Sequence, residues 1–178
     1  MTYMRPIIER RAAEAEVRAA GRKLQGYAAV FGTEARLGSF VETIAPAAFR
    51  ASLADSSDKL ALVDHDPGRL LARTRSGTLR LSEDSRGLAF ELDVPDTQTG
   101  RDVLALAERS DLGGMSFAFR VRPGGDRWDG KRRELRAVQL LEISVVQAWP
   151  AYEGTTVATR SLVTPGRMRL RSFLEARQ

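Results

Sequence analysis

The clearest strand signal of the chain is Leu140-Leu141-Glu142-Ile143-Ser144-Val145-Val146-Gln147-Ala148-Trp149, where residues typical of a buried strand dominate. Successive side chains of a strand point to opposite faces. One face therefore carries Leu140, Glu142, Ser144, Val146 and Ala148. An acid is seldom buried without a partner, so Glu142 stands out on this largely apolar face. Two partners stay open: one of the many arginines, through an ion pair, or the only histidine, His65, through a hydrogen bond.

Similar alternation along the rest of the chain predicts a mainly β, α+β domain with two or three short helices. Strands are expected at residues 23–31, 40–44, 60–64, 78–81, 88–94 and 116–122 and within 132–149. Helices are expected over residues 47–54 after Pro46, over 101–109 with Thr99 as N-cap, and over 167–176. Pro67-Gly68 predicts a turn.

The length of 178 residues suits one domain with two tails. We expect a polar, basic lead-in over residues 1–23 that is partly helical, a domain over 24–162, and a basic tail or helix over 163–178. Hydrophobic residues make up 43% of the chain, which is enough for a core. Because no apolar run approaches the roughly 18 residues that span a bilayer, and no secretory signal is recognisable, we expect no membrane association.

Composition narrows the chemistry. The formal net charge of +5 comes from arginines interspersed with acids and without aromatic stacking platforms, so nucleic acid is not expected as a substrate. The absence of cysteine excludes disulfides and thiolate zinc sites. A single histidine excludes a two-histidine metal site, and a carboxylate Mg²⁺ site at Asp64-His65-Asp66 is a weak alternative. We therefore expect no cofactor and no metal.

A nucleophilic enzyme without cysteine needs a serine or a threonine, and the segments around Ser116 and Ser144 offer candidates. Ser116 follows Gly113-Gly114, which permits a sharp turn and leaves main-chain N–H groups unobstructed, as an oxyanion site requires. A serine that begins a strand after a turn is also common without any catalytic role.

His65 ends an apolar strand and is a candidate general base. If the sheet brings it within reach of Ser116, a neutral imidazole can take the hydroxyl proton. Glu142 would then fix the tautomer of the ring and stabilise its cation. The alternative is a surface histidine whose partner is Asp64 or Asp66. A serine, a histidine and an acid at strand ends of one β domain together indicate a serine hydrolase.

The same segments resemble the prohead proteases of tailed phages of the HK97 type, from about residue 24 to residue 162. The resemblance is carried by residues 24–31 (LQGYAAVF), 42–49 (ETIAPAAF), His65 with 70–79 (LLARTRSGTL), 87–91 (GLAFE), 95–97 (PDT) with 100–103 (GRDV), 114–117 (GMSF), and 141–144 (LEIS) with 150–152 (PAY).

The resemblance implies a fold similar to the herpesvirus assemblin proteases, in which helices surround a β-barrel. It also implies a serine endopeptidase with Ser116 as the nucleophile and His65 as the base. The herpesvirus enzymes use a second histidine as the third member, whereas Glu142 occupies the corresponding strand here. We assign the oxyanion donors to backbone N–H groups of Ser116 and Phe117.

The chain departs from the family pattern at three positions. The usual glycine after Pro46 is Ala47, the usual glycine after Phe117 is Ala118, and the common proline after Ser144 is Val145. These changes affect turns and packing more than chemistry, although Ala118 narrows the groove beside the nucleophile.

The resemblance also implies partners and a location. The expected partners are the major capsid protein precursor with its scaffold segment, and the protease itself through autoprocessing. The expected location is the interior of the prohead in the cytoplasm of the bacterial host. A homodimer stays open. The alternative function is that of a non-catalytic capsid assembly or scaffolding factor of the same fold.

Overall fold

The computed structural model describes residues 7–15 and 17–148, and β-strands make up most of its secondary structure. The strands are β1 (Glu9–Ala13), β2 (Val17–Ala20), β3 (Lys23–Val30), β4 (Ala35–Leu37), β5 (Phe40–Ile44), β6 (Leu60–Val63), β7 (Asp66–Arg73), β8 (Leu79–Glu83), β9 (Gly87–Asp93), β10 (Gly114–Val121), β11 (Asp126–Asp129), β12 (Arg132–Leu135) and β13 (Val138–Val146). The helices of this part are α1 (Arg50–Ala54) and α2 (Gln98–Glu108). The predicted helix over 167–176 lies outside the described residues.

The strands form three sheets, which confirms the mainly β prediction. Their strand orders are β1-β10-β13-β6-β7, β11-β12-β5-β4 and β2-β3-β9-β8. The expected closed barrel is not found in the described residues, where all three sheets are open. The edge strands β7 and β8 approach each other without forming a hydrogen-bonded ladder, so the two sheets do not close into one barrel there.

The prediction of a partly helical lead-in is wrong for its described residues. Strand β1 pairs antiparallel with β10, and β2 pairs antiparallel with β3. The inward position of β1 is Arg11, which is buried and pairs with Glu42 of β5 and with Glu9 of its own strand. Because an ion pair replaces the usual apolar side chain there, the hydrophobic pattern of a strand is absent from the sequence.

The predicted turn at Pro67-Gly68 is also wrong, since both residues lie inside β7. The turn between β6 and β7 is Asp64-His65, flanked by the paired residues Val63 and Asp66. Strand β7 is the edge of its sheet, where a proline without an N–H group is tolerated.

The core lies between the sheets and is centred on three phenylalanines. The ring of Phe49, at the start of α1, meets the ring of Phe117 edge-on with centroids 5.5 Å apart, and Phe117 stacks on Phe119 at 5.3 Å. Both faces of β10 are buried over most of its length. This strand is therefore held rigidly, which matters because it carries Ser116.

Two local details correct the predicted N-cap of α2 and explain one glycine of the family pattern. The N-cap of α2 is Thr97, whose side chain accepts a hydrogen bond from the Gly100 N–H at 3.1 Å, and not Thr99. Ala47 has a φ of 68°, a conformation that favours glycine. The glycine that the family pattern places there has a physical reason, and this chain tolerates an alanine in its place.

Candidate active site

Ser116 lies on β10, the second strand of the five-stranded sheet. It is opposite Ala12 of β1 on one side and Ser144 of β13 on the other. Its side chain is buried, with 1% relative exposure. Just before it, Gly114 has a φ of 142°, and a Cβ atom there would come within 2.2 Å of the Ala13 carbonyl oxygen. The glycine therefore allows β1 to run directly beside the strand that carries Ser116.

His65 is presented by the two-residue turn between β6 and β7. Asp64 and His65 both have positive φ angles, 51° and 60°, as the tight turns that suit the twist of a hairpin require. Aspartate and histidine are among the few residues other than glycine that enter this region with some frequency. The Asp64 N–H donates to the Val145 carbonyl at 2.9 Å, and the Asp64 carboxylate accepts from the Gln147 N–H at 3.0 Å. These bonds fasten the turn to the end of β13.

The structure brings Ser116, His65 and Glu142 together in one hydrogen-bonded row. His65 Nε2 lies 2.7 Å from Ser116 Oγ, and His65 Nδ1 is hydrogen-bonded to Glu142 Oε1. A carboxylate only accepts, so Nδ1 carries the hydrogen of a neutral ring. Nε2 is then a free acceptor that faces the serine hydroxyl, which is the tautomer that a general base needs.

Glu142 is 8% exposed and lies on β13 opposite Ala118 of β10. Of the two partners that the sequence left open, its partner in the structure is His65, and no arginine or lysine of the described residues pairs with it. Its negative charge is therefore balanced only when the imidazole takes up a proton. A buried carboxylate in this position is suited to stabilise an imidazolium.

Ser144, whose segment the sequence analysis offered only as a source of a nucleophile, also joins this row. Its hydroxyl donates to Glu142 Oε2 at 3.0 Å and accepts from the His65 backbone N–H at 3.2 Å. It lies 3.4 Å from His65 Nδ1 and not beside Nε2, so its geometry does not suit a nucleophile activated by this histidine. The shared face of Glu142 and Ser144 on one strand was the signal that could have found it.

A main-chain carbonyl competes for the hydroxyl hydrogen of Ser116. The Oγ atom donates to the Arg11 carbonyl oxygen at 2.8 Å, while His65 Nε2 offers a second acceptor at 2.7 Å. A serine has one hydroxyl hydrogen, so the two acceptors cannot both be satisfied at once. Sequence reasoning missed this contact because a carbonyl group has no residue signature.

Strand β1 is anchored beside Ser116 by a buried ion cluster. Arg11 donates through Nε to Glu42 Oε1 at 2.6 Å and through Nη2 to Glu9 Oε2 at 2.7 Å. Arg133 donates to Glu9 Oε2 at 2.7 Å and to Glu42 Oε2 at 3.1 Å. Burial alone would raise the pKa of Glu9, but hydrogen bonds from Arg133 and Arg11 outweigh it, and the pKa lies below its usual value.

The oxyanion assignment to the N–H groups of Ser116 and Phe117 stays a prediction. Phe117 is opposite Arg11 on one side and Ile143 on the other. Backbone N–H groups inside a sheet face the carbonyl groups of neighbouring strands. If Ser116 and Phe117 supply the oxyanion donors, the substrate has to reach N–H groups that lie between two strands.

Two further observations concern metals and membranes. Among the described residues, no group of three or more histidine, aspartate or glutamate side chains is arranged to hold a metal ion. No helix in this part of the chain is long and apolar enough to cross a membrane.

A buried serine, a histidine with a free Nε2 acceptor and a buried acid on adjoining strands form the arrangement of a serine hydrolase. The model of the caudovirus prohead serine protease family matches residues 8–166, and the chain belongs to this family. The matched segment includes β1 and all three residues of the row. No curated protein and no solved structure matches the chain.

Proposed function

We propose that this protein is the endopeptidase that matures the prohead, with Ser116 as nucleophile, His65 as general base and Glu142 as the acid that orients the imidazole. The single observation that carries the proposal is the row itself. Ser116 Oγ and His65 Nε2 are 2.7 Å apart, and His65 Nδ1 is hydrogen-bonded to Glu142. Membership of a serine protease family supports it.

In the proposed reaction, His65 Nε2 accepts the hydroxyl proton as Ser116 Oγ attacks the scissile carbonyl carbon. The imidazolium is stabilised by Glu142 and then protonates the leaving amine, which releases the first product and leaves an acyl-enzyme. Water is deprotonated by His65, attacks the ester and releases the second product as Ser116 regains its proton. Because the Arg11 carbonyl also accepts from Ser116, the hydroxyl has to turn toward His65 before the attack.

The family supports a capsid protein as the substrate. We propose that the enzyme removes the scaffold segment of the major capsid precursor inside the prohead and afterwards cleaves itself. The chemistry of the row needs no cofactor, because a serine, an imidazole and a carboxylate supply the nucleophile, the base and the countercharge.

Co-expression with the capsid precursor of the same genome tests this function. The chain would be compared with Ser116→Ala, His65→Ala and Glu142→Ala, and the intact mass of the capsid protein would be measured. The proposal predicts loss of one segment with the unaltered chain, and an intact precursor with Ser116→Ala and His65→Ala. Trimming that survives Ser116→Ala would move the nucleophile elsewhere. Intact precursor in every sample, with capsids still assembling, would favour an assembly factor.

A further inference from the structure

Ser144 is fully buried at the junction of the three strands that build the site. It is opposite Ser116 on β10 and beside Leu62 on β6. Its relative exposure is 0%. A hydroxyl in such a place has to satisfy both its donor and its acceptor within the protein.

The hydroxyl meets this requirement with two groups of the row. It donates to Glu142 Oε2 at 3.0 Å and accepts from the His65 backbone N–H at 3.2 Å. One oxygen of the carboxylate is thereby fixed, and the other oxygen, Oε1, faces His65 Nδ1. The same hydroxyl holds the backbone of His65 in its turn with a φ of 60°.

Each contact restrains a degree of freedom that the reaction needs fixed. The carboxylate of Glu142 can rotate about its terminal torsion, which is broad for a glutamate. His65 occupies a backbone region that residues with a side chain seldom adopt, so its turn needs support from its surroundings. Residues that hydrogen-bond to a functional group and fix its orientation contribute strongly to activity at comparable sites.

We infer that Ser144 is a positioning residue of the peptidase: it fixes Glu142 and the His65 turn relative to each other, so that Nε2 points at Ser116. This inference rests on the proposed function of the row. Ser144 touches neither the scissile bond nor Ser116 Oγ in this arrangement, and it acts only through its two partners.

The chain offers a matched control in Ser52. Its relative exposure is also 0%, and its hydroxyl accepts from the Leu140 N–H of the same strand, β13, at 2.9 Å. Replacing Ser52 by alanine removes a buried hydrogen bond to β13 without altering any contact of the row. A loss of activity that came merely from weakening β13 would appear in both variants.

The kinetic arm compares Ser144→Ala with Ser52→Ala on a peptide that spans the capsid cleavage site. We expect Ser144→Ala to lower kcat by about 10- to 100-fold with KM unchanged, and Ser52→Ala to leave both within about twofold. Should Ser144→Ala fail to fold, Ser144→Cys keeps the site filled while its thiol donates and accepts only weakly, and the same loss in kcat is expected.

An NMR experiment measures the positioning of the His65 imidazole without any turnover. Because the chain has one histidine, the imidazole NMR signals of protein made without a histidine tag belong to His65 alone. The Nδ1 proton held by Glu142 should give a downfield resonance that is sharp in the unaltered protein and in Ser52→Ala, and broadened or shifted upfield in Ser144→Ala.

Two results would overturn the inference: an unchanged resonance with kcat within twofold in the Ser144 variants, or equal losses in the Ser144 and Ser52 variants. Failure of the proposed function is a separate result. In that case the unaltered protein would not cleave the peptide, while the resonance would still report whether Ser144 orders His65.

Discussion

Two buried glutamates show how the same residue type serves two different purposes in this molecule. Glu42, on β5, is 2% exposed, and Glu142, on β13, is 8% exposed. Glu42 accepts from Arg11 at 2.6 Å and from Arg133 at 3.1 Å, and both partners are permanently charged. Glu142 is bound by His65 and Ser144, of which only the histidine can become charged.

The difference in partners explains the difference in role. The arginines keep the charge of Glu42 balanced at all times, so the cluster ties β1, β5 and β12 together and has no charge to offer to a reaction. Glu142 has no fixed cation among the described residues, so a proton that arrives on His65 is attracted there. Burial alone therefore does not make a carboxylate a candidate for the catalytic acid; a partner that can take up a proton does.

The largest expected effect is that of Glu142→Gln on catalysis. A glutamine amide can donate to Nδ1, which would place the hydrogen of the neutral ring on Nε2 and remove the acceptor for Ser116. We expect kcat/KM to fall by about 10³- to 10⁴-fold. The free energy of unfolding should change little, because the carboxylate has no fixed countercharge to leave behind. Peptide cleavage and urea unfolding measure the two quantities, and activity within tenfold of the unaltered protein would contradict the role of Glu142.

The second prediction concerns Glu42→Gln, which should show the opposite pattern. Removing the acid leaves Arg11 and Arg133 buried with one negative charge fewer, and breaking such a pair costs about 3 kcal/mol of stability. Activity per folded molecule should stay within about threefold. Urea unfolding gives the first value, and kcat corrected for the folded fraction gives the second. If the free energy of unfolding fell by less than about 1 kcal/mol, the cluster would not anchor β1 as we describe.

Acid should weaken the Glu42 cluster through Glu9. Burial acts to raise the pKa of Glu9, but the hydrogen bonds from Arg133 and Arg11 outweigh it, so this pKa lies below its usual value in the folded protein. Its contribution to stability is thus present above the unfolded pKa and is lost as the pH falls through the folded pKa. We expect Glu9→Gln to lose less stability than the unaltered protein between pH 6 and about pH 3. Equal pH dependence of the two proteins in urea titrations would refute this coupling.

The smallest effect is expected for an exposed glutamate. Glu91 accepts from Lys23 at 2.8 Å and from Arg80 at 2.6 Å, and all three side chains are more than a third exposed. Water and salt screen such pairs, so Glu91→Gln should shift the unfolding midpoint far less than Glu42→Gln does and should leave activity unchanged. A shift as large as that of Glu42→Gln would mean that charge pairing stabilises the protein to the same extent without burial.

Residue patterns predict the strands well where an apolar side chain marks each inward position. Strand β5 has the bounds expected from sequence, and β3, β9 and β10 differ by only one or two residues at either end. This reasoning does not find the polar strand β1, because its inward residue is Arg11 and the buried acid that balances it, Glu42, lies 31 residues away along the chain. Sequence patterns do not predict the turn at Asp64-His65, because the nearby Pro67-Gly68 is the stronger turn signal. The structure instead accommodates Pro67-Gly68 in a strand at a sheet edge.

Residue type marks the members of the row as candidates, but sheet topology determines whether they lie close together. Ser116, His65 and Glu142 come from β10, the β6–β7 turn and β13, and only the order β10-β13-β6 makes them neighbours. That order is a tertiary property which periodicity does not encode. The Arg11 carbonyl beside Ser116 is a main-chain contact, so it depends on the pairing of β1 and carries no side-chain signal.

Covalent labelling of the serine measures whether the row activates Ser116. The purified protein would be treated with a fluorophosphonate, and the intact mass and the modified peptide would be measured for the unaltered chain, Ser116→Ala and His65→Ala. We expect one adduct on Ser116, at least about 100-fold slower labelling without His65, and no adduct without Ser116. An adduct that persists in Ser116→Ala, or equal labelling rates with and without His65, would contradict it.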